Sequence, residues 1–202
     1  MTTNYSSDIA FSPAVKAIQA QKGSREGYAR MEEKGGWRTA ISADLMAFIA
    51  ERDSFYMATA SAAGQPSMQH RGGPKGFLRV QDEHTLAFAD FTGNRQYISV
   101  GNLSENDRVA LFLIDYANRR RIKIWGRARV VLDDGDLLQQ LSDPEYQATV
   151  EAAIVITVEA WDTNCSKHIT QRYTDDQIVD QVGPLQARIA ELEAELATLR
   201  SA

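Results

Sequence analysis

Asp90–Asn106, DFTGNRQYISVGNLSEN, is the stretch whose reading decides the fold. It leaves an apolar strand pattern, TLAFADF (Thr85–Phe91), and passes through a polar loop before the next apolar run, RVALFLI (Arg108–Ile114). Thr92–Leu103 is predicted as a short helix beginning at Gly93-Asn94. Free backbone N–H groups and the helix dipole at such a start favour an anion. Arg95 adds a guanidinium suited to bidentate phosphate contact. The earlier turn QHRGGPKGF (Gln69–Phe77) carries Arg71 and Lys75 beside glycines, where backbone can approach a ligand closely. A small β-barrel holding an anionic ligand distributes residues in this way. Nothing between Phe55 and Leu132 has the pattern of a catalytic nucleophile or a metal cage. That pattern points to a bound cofactor as the carrier of the chemistry.

Working outward, FYMATAS (Phe55–Ser61) alternates in polarity, and GQPSMQH (Gly64–His70) follows a turn at Ala63-Gly64, which reads as a hairpin. GFLRV (Gly76–Val80) pairs with TLAFADF across Asp82-Glu83. RVALFLI and RIKIWGRARVVL (Arg121–Leu132) form another hairpin around DYANRR. A helical insert, Asp133–Val150, precedes the last strand, AAIVITVEAW (Ala152–Trp161). The predicted fold is mainly β with peripheral helices: six or seven antiparallel strands in a closed or split barrel crossed by one helix.

The flanks differ. Ser12-Pro13 marks a helix N-cap and first position, a second helix covers Arg25–Lys34, and Ser42 caps a third. In that third helix Leu45, Met46, Phe48 and Ile49 form one apolar stripe. Thr174–Gln177 reads as a capping box. Beyond it, Ile178, Val182, Leu185, Ile189, Leu192, Leu196 and Leu199 alternate spacings of four and three, the seam of a coiled coil, which serves either self-association or packing along its own barrel. Gly183-Pro184 is predicted to kink or restart this helix. The resulting division is an N-terminal helical extension (1–41), a barrel domain (42–173) and a C-terminal helix (174–202).

Composition excludes several classes. The 202 residues carry a net charge of −5, which argues against nucleic-acid binding. The basic run Asn118–Lys123 is the exception, read as a solvated hairpin turn or, alternatively, a polyanion contact. A single cysteine, Cys165, leaves no intrachain disulfide and fits a reducing, cytoplasmic setting. The N-terminus lacks a secretory pattern, and the longest apolar run, Ala152–Val158, has strand length, so no membrane span is expected. His70, His84 and His168 show no metal-ligand spacing. His84 reads as a solvated turn residue, and His70, beside Arg71, as a structural histidine or one that faces a ligand. Tyr97, Phe91 and Trp125 serve either as core or as stacking surfaces. The polar segment after the last strand supplies Asn164, Lys167, His168 and Gln171 as candidate ligand-lining groups.

Four blocks in fixed order carry a resemblance: FYMATASAAGQPSMQHRGGPKGFLRV (Phe55–Val80), TLAFADFTGNRQYISVGNLSENDRVALFLIDY (Thr85–Tyr116), RIKIWGRARVV (Arg121–Val131) and NCSKHITQR (Asn164–Arg172). Over Ser42–Tyr173 the chain resembles the pyridoxamine 5′-phosphate oxidase-like, FMN-binding split-barrel family. The resemblance implies a homodimer with FMN in clefts between subunits and hydride transfer to the flavin from an unidentified small substrate. Arg71 and Arg95 then correspond to phosphate ligands. Gly72 lies beside Arg71. Asp90, Phe91, Asn94 and Gln96 neighbour the phosphate and ribityl chain, and Asn102 supports that loop. Asn164, Lys167, His168 and Gln171 fall near the flavin ring, from the same or the partner chain. The chain departs from the oxidases proper in lacking their basic, tryptophan-containing substrate strand, so pyridoxamine phosphate is not the expected substrate. The alternative is a non-catalytic module of the same fold that binds flavin, haem or deazaflavin.

Overall fold

The computed structural model describes residues 5–200 and forms two compact units. Among the described residues one comprises 5–114 with 121–165, the other 115–120 with 166–200.

The first unit begins with helices that stop where the backbone demands it. α1 (Pro13–Gln21) opens on Ser12, whose hydroxyl accepts the Val15 N–H at 3.3 Å. α2 (Arg25–Glu33) ends before Gly35 and Gly36, both in the left-handed region at φ 114° and 75°. α3 (Ala43–Ala50) is capped by Ser42, which accepts the Leu45 N–H at 3.3 Å. Leu45, Phe48 and Ile49 are buried, but Met46, assigned above to the same stripe, is 48% exposed. The core covers only the narrow face of this helix, and Met46 falls outside it.

Seven antiparallel strands follow: β1 (Ser54–Ala60), β2 (Pro66–Gly72), β3 (Arg79–Asp82), β4 (Thr85–Phe91), β5 (Arg108–Asp115), β6 (Arg120–Val131) and β7 (Val150–Asn164). Their order across the sheet is β2-β1-β5-β6-β7-β4-β3. β3 starts three residues later than GFLRV suggested, because Phe77 and Leu78 turn into the core instead of pairing. β1 alternates as expected for a one-faced strand, with Phe55, Met57 and Thr59 inward. β4 does not alternate: Leu86, Ala87, Phe88 and Ala89 are all buried. Its second face is covered, since Ala87, Ala89, Ala153 and Val155 pack with Leu141 of α5 (Gly135–Leu141). A strand buried on both faces reads as a continuous apolar run. α5 is much shorter than the insert predicted over Asp133–Val150. Asp134 caps it by accepting the Leu137 N–H at 3.0 Å, and Pro144 lies soon after its end.

The inner face of the sheet forms the main core, led by Phe55, Met57, Leu86, Phe88, Leu111, Leu113, Ile124, Ile154 and Ile156. β6 and β7 pair along eleven registered positions, with a bulge between Trp125 and Gly126. A Cβ at Gly126 would lie 2.1 Å from the Thr157 carbonyl oxygen, so only glycine allows the two backbones to come this close. Trp125 stacks on Trp37 at 4.6 Å, and the indole of Trp161 donates to the Ala40 carbonyl at 2.8 Å. These contacts tie the segment before α3 to the sheet. His84 is not merely solvated: its Nδ1 lies 3.1 Å from the Thr39 carbonyl.

The second unit joins the turn Asp115–Arg120 to the segment after β7. Asp115 accepts from the Asn118 backbone at 3.0 Å and from its amide at 2.9 Å. The Gln171 amide donates to the Ala117 carbonyl at 2.6 Å, and Arg172 lies over the Tyr116 ring at 4.8 Å. The capping box closes as read, with Thr174 N–H to the Gln177 side chain at 3.0 Å and Gln177 N–H to the Thr174 hydroxyl at 3.3 Å. α6 (Asp175–Arg200) then runs through Gly183-Pro184 without a break, so the predicted restart does not occur.

Candidate functional site

The site lies where the C-terminal ends of β2 and β4 meet the loop leading to α4 (Ile98–Glu105). Two adjoining hollows share Gln69, Arg71, Phe91, Gly93 and Asn94. The wider one has a volume of about 350 Å³ and adds His70, Gly72, Phe77, Phe88 and Ala89. That volume falls in the usual range for small-ligand clefts, roughly 300–1,000 Å³. The narrower one adds Asp90, Arg95, Glu151 and the first turn of α4, from Tyr97 to Val100.

Period-two geometry explains the β2 contribution, since Gln69 and Arg71 share one face of the strand. Arg71 Nη1 contacts Asp90 Oδ1 at 2.5 Å, with both side chains largely buried. Arg71 Nε is buried and has no hydrogen-bond partner among the described residues. Burial pushes the Asp90 carboxyl above its usual value, the Arg71 charge and hydrogen bond oppose that rise, and the Glu151 carboxylate adds to it. Desolvation wins because a carboxylate with one cationic partner still forfeits most of its hydration.

The helix start is not at Gly93-Asn94 but at Ile98, five residues later. The Asn94 side chain instead accepts the Gln96 N–H at 3.2 Å, a local turn that competes with helix formation. Arg95 and Tyr97 then take left-handed conformations, at φ 59° and 51°. Two such non-glycine residues in one short loop are uncommon and cost energy. Tyr97 is the N-cap and makes no side-chain cap. The Gly101 N–H donates to the Tyr97 carbonyl at 2.8 Å, which leaves the N–H groups of Ile98, Ser99 and Val100 outside the helical ladder. The anion-favouring helix start is therefore present, within the same hollow as Arg95.

α4 is held rigidly. The buried Ser99 hydroxyl donates to Gln69 Oε1 at 2.8 Å, and the Asn102 amide donates to the Thr59 hydroxyl at 2.9 Å. The structure thus gathers Arg71, Gly72, Asp90, Phe91, Asn94 and Arg95 at one cleft. Gln96 lies in the loop beside it, and Asn102 acts behind it, on β1. A Cβ at Gly73 would sit 2.7 Å from Phe77 Cγ, so this glycine makes room for a core ring and not for a ligand. Among the residues after β6, Asn164 ends β7 opposite Arg121. Lys167, His168 and Gln171 belong to the second unit, with His168 at φ 63° and the Gln171 amide already engaged.

Sequence reasoning missed Gln69, Ser99 and Glu151. Gln69 was legible from its two-residue spacing to Arg71. Glu151 was not, because it reaches the hollow only through the register that sets Phe91 against Val150. Among the described residues no group of acidic, histidine or cysteine side chains could hold a metal, and no helix is long and apolar enough to cross a membrane.

This sheet, its helices and the cleft between β2 and β4 define a mainly β, split-barrel protein. The chain belongs to the pyridoxamine 5′-phosphate oxidase family, whose model matches residues 41–165. No curated protein matches the sequence. Solved structures share the fold at low identity. HupZ of Group A Streptococcus is 16% identical with a TM-score of 0.50, covering 65% of this chain and 99% of its own. An FMN-binding protein from Syntrophomonas wolfei is 13% identical with a TM-score of 0.51, covering 73% of this chain and 97% of its own.

Proposed function

We propose that the protein binds FMN in this cleft and is an oxidoreductase acting on a small molecule. The observation that carries the reading is the orphaned, buried Nε of Arg71 in a cleft that also holds Arg95 and three unladdered N–H groups of α4. A buried donor without a partner costs about 1–3 kcal/mol, and an anionic ligand supplies the missing acceptor. Arg95 and the N–H groups of Ile98, Ser99 and Val100 would hold the phosphate. Asp90 fixes the Arg71 guanidinium, and Gln69 and Asn102 fix α4 through Ser99 and Thr59. Phe77, Phe88 and Ala89 give the wider hollow an apolar wall for the uncharged part of the ligand. Bound FMN would supply hydride acceptance and onward electron transfer, chemistry that no side chain of the cleft supplies. The same reading takes the working form to be a homodimer.

The test is the visible spectrum of the purified protein with and without added FMN, followed by anaerobic addition of reduced nicotinamides. Flavin bands that bleach with a donor support the oxidoreductase. Bound flavin that no donor reduces identifies a carrier. A colourless protein that fails to take up FMN ends the proposal.

A further inference from the structure

α6 carries an apolar seam that is open to solvent among the described residues. No residue of this helix is buried, and its seam positions are 37–75% exposed. The 4-3 spacing assigns Val182, Ile189 and Leu196 to heptad position a, and Ile178, Leu185, Leu192 and Leu199 to position d. β-Branched residues at two of three a positions with leucine at three of four d positions is the combination that favours two parallel strands.

The flanking charges point the same way. Arg188 and Glu195 fall at g, and Glu193 and Arg200 at e. In a parallel, in-register pair each g residue meets the e residue five positions on in the other helix. Arg188 then meets Glu193 of the second copy, and Glu195 meets its Arg200. Both pairs are opposite in sign and both recur by symmetry, with no like-charged pair at any g–e contact. An antiparallel pair sets e against e and g against g, so it cannot make these pairings. Within its own chain Arg188 reaches Glu191 at 2.8 Å, an exposed contact of the kind that contributes little and competes weakly. Gly183 and Pro184 occupy b and c, so the missing proline N–H lies away from the seam. The helix of 26 residues spans about 39 Å at ~1.5 Å per residue.

From this self-complementarity we infer that α6 forms a parallel, in-register, two-stranded coiled coil with α6 of a second copy of the chain. The pairing brings the Thr174 ends of two copies together. It is independent of what the cleft binds.

The test uses the full chain in a Cys165→Ser background, which removes the native thiol. Leu199→Cys places a thiol at the seam, and Ala194→Cys, at position f, places one on the outer face. With oxidised glutathione, Leu199→Cys should form a disulfide-linked dimer and Ala194→Cys should remain monomeric in denaturing gels. Adding Arg188→Glu or Glu193→Arg to Leu199→Cys creates like-charged pairs and should lower the cross-linked yield roughly three- to tenfold. An equimolar mixture of those two variants restores both pairings and should recover the yield as heterodimer. A barrel-mediated dimer alone would leave the yield unmoved by the charge changes. Absence of the Leu199 cross-link, equal cross-linking at Ala194, or no preference in the mixture overturns the inference.

Discussion

Replacing Arg95 with alanine removes one guanidinium from the narrow hollow without touching the core. Arg95 is exposed, sits in the loop before α4, and makes no ion pair among the described residues. Folding should therefore change by no more than about 0.5 kcal/mol, the usual scale for surface substitutions. A hydrogen bond from a charged group to phosphate is worth about 1.5–3 kcal/mol. At ~1.4 kcal/mol per decade, Arg95→Ala should weaken FMN binding by roughly 10- to 150-fold. Because the side chain is open to water, the loss should sit near the lower end at physiological salt, where the screening length is about 8 Å. The assay is paired titration with FMN and with riboflavin, which lacks the phosphate. FMN affinity should fall at least about tenfold, riboflavin affinity should stay within about twofold, and the FMN loss should shrink as salt rises. An FMN affinity within about twofold of wild type would place the phosphate elsewhere. Equal losses for both ligands would mean that Arg95 supports the loop and not the anion. Arg71→Ala is the wrong variant for this purpose. It leaves Asp90 buried and unpaired, at a cost of about 3–5 kcal/mol, and mixes folding with binding.

Asp90→Asn should flatten the pH dependence of stability. Below the ordinary value of 3.8 the carboxyl is protonated both folded and unfolded, and wild type and variant run parallel. As pH rises through the raised folded value, the unfolded chain ionises first. Wild type then loses stability relative to the variant and keeps that deficit at higher pH. Urea unfolding across this range checks the sign, and a wild type that gains on the variant with rising pH contradicts it. Gly126→Ala forces a Cβ to 2.1 Å from a backbone oxygen and should cost roughly 1–3 kcal/mol, lowering Tm by about 2–12 °C in a thermal melt. Gly73→Ala, whose Cβ meets the buried Phe77 ring at 2.7 Å, should also lower Tm; an unchanged melt would mean that Phe77 repacks freely.

The two loops that frame the cleft were legible because their residues announce local geometry. QHRGGPKGF carries a strand-end arginine and glycines, and DFTGNRQY carries polar turn formers. Where the helix begins was not legible. Gly93-Asn94 has the look of a helix start, but Asn94 spends its side chain on the Gln96 N–H, and two left-handed residues delay the helix to Ile98. That choice is made by the contacts that anchor α4 from behind, Ser99 to Gln69 and Asn102 to Thr59, which no local pattern contains. α5 was overread for a related reason. Its polar sequence has no internal stop until Pro144, while the chain leaves the helix at Ser142.

By itself the sequence determined the alternation of strands, the caps at Ser12, Ser42 and Thr174, the heptad spacing of α6 and the presence of two arginines in polar loops. These depend on residues within a few positions of one another, where backbone sterics and side-chain periodicity act directly. Only the tertiary structure decided that Asp90 occupies one guanidinium edge of Arg71, that its Nε is left without an acceptor among the described residues, and that Glu151 joins them. Those facts arise from the burial of charge and from the register of β4 on β7, which brings together residues some sixty positions apart. Desolvation and cross-strand pairing are properties of the packed chain, so no reading of neighbours along it could supply them.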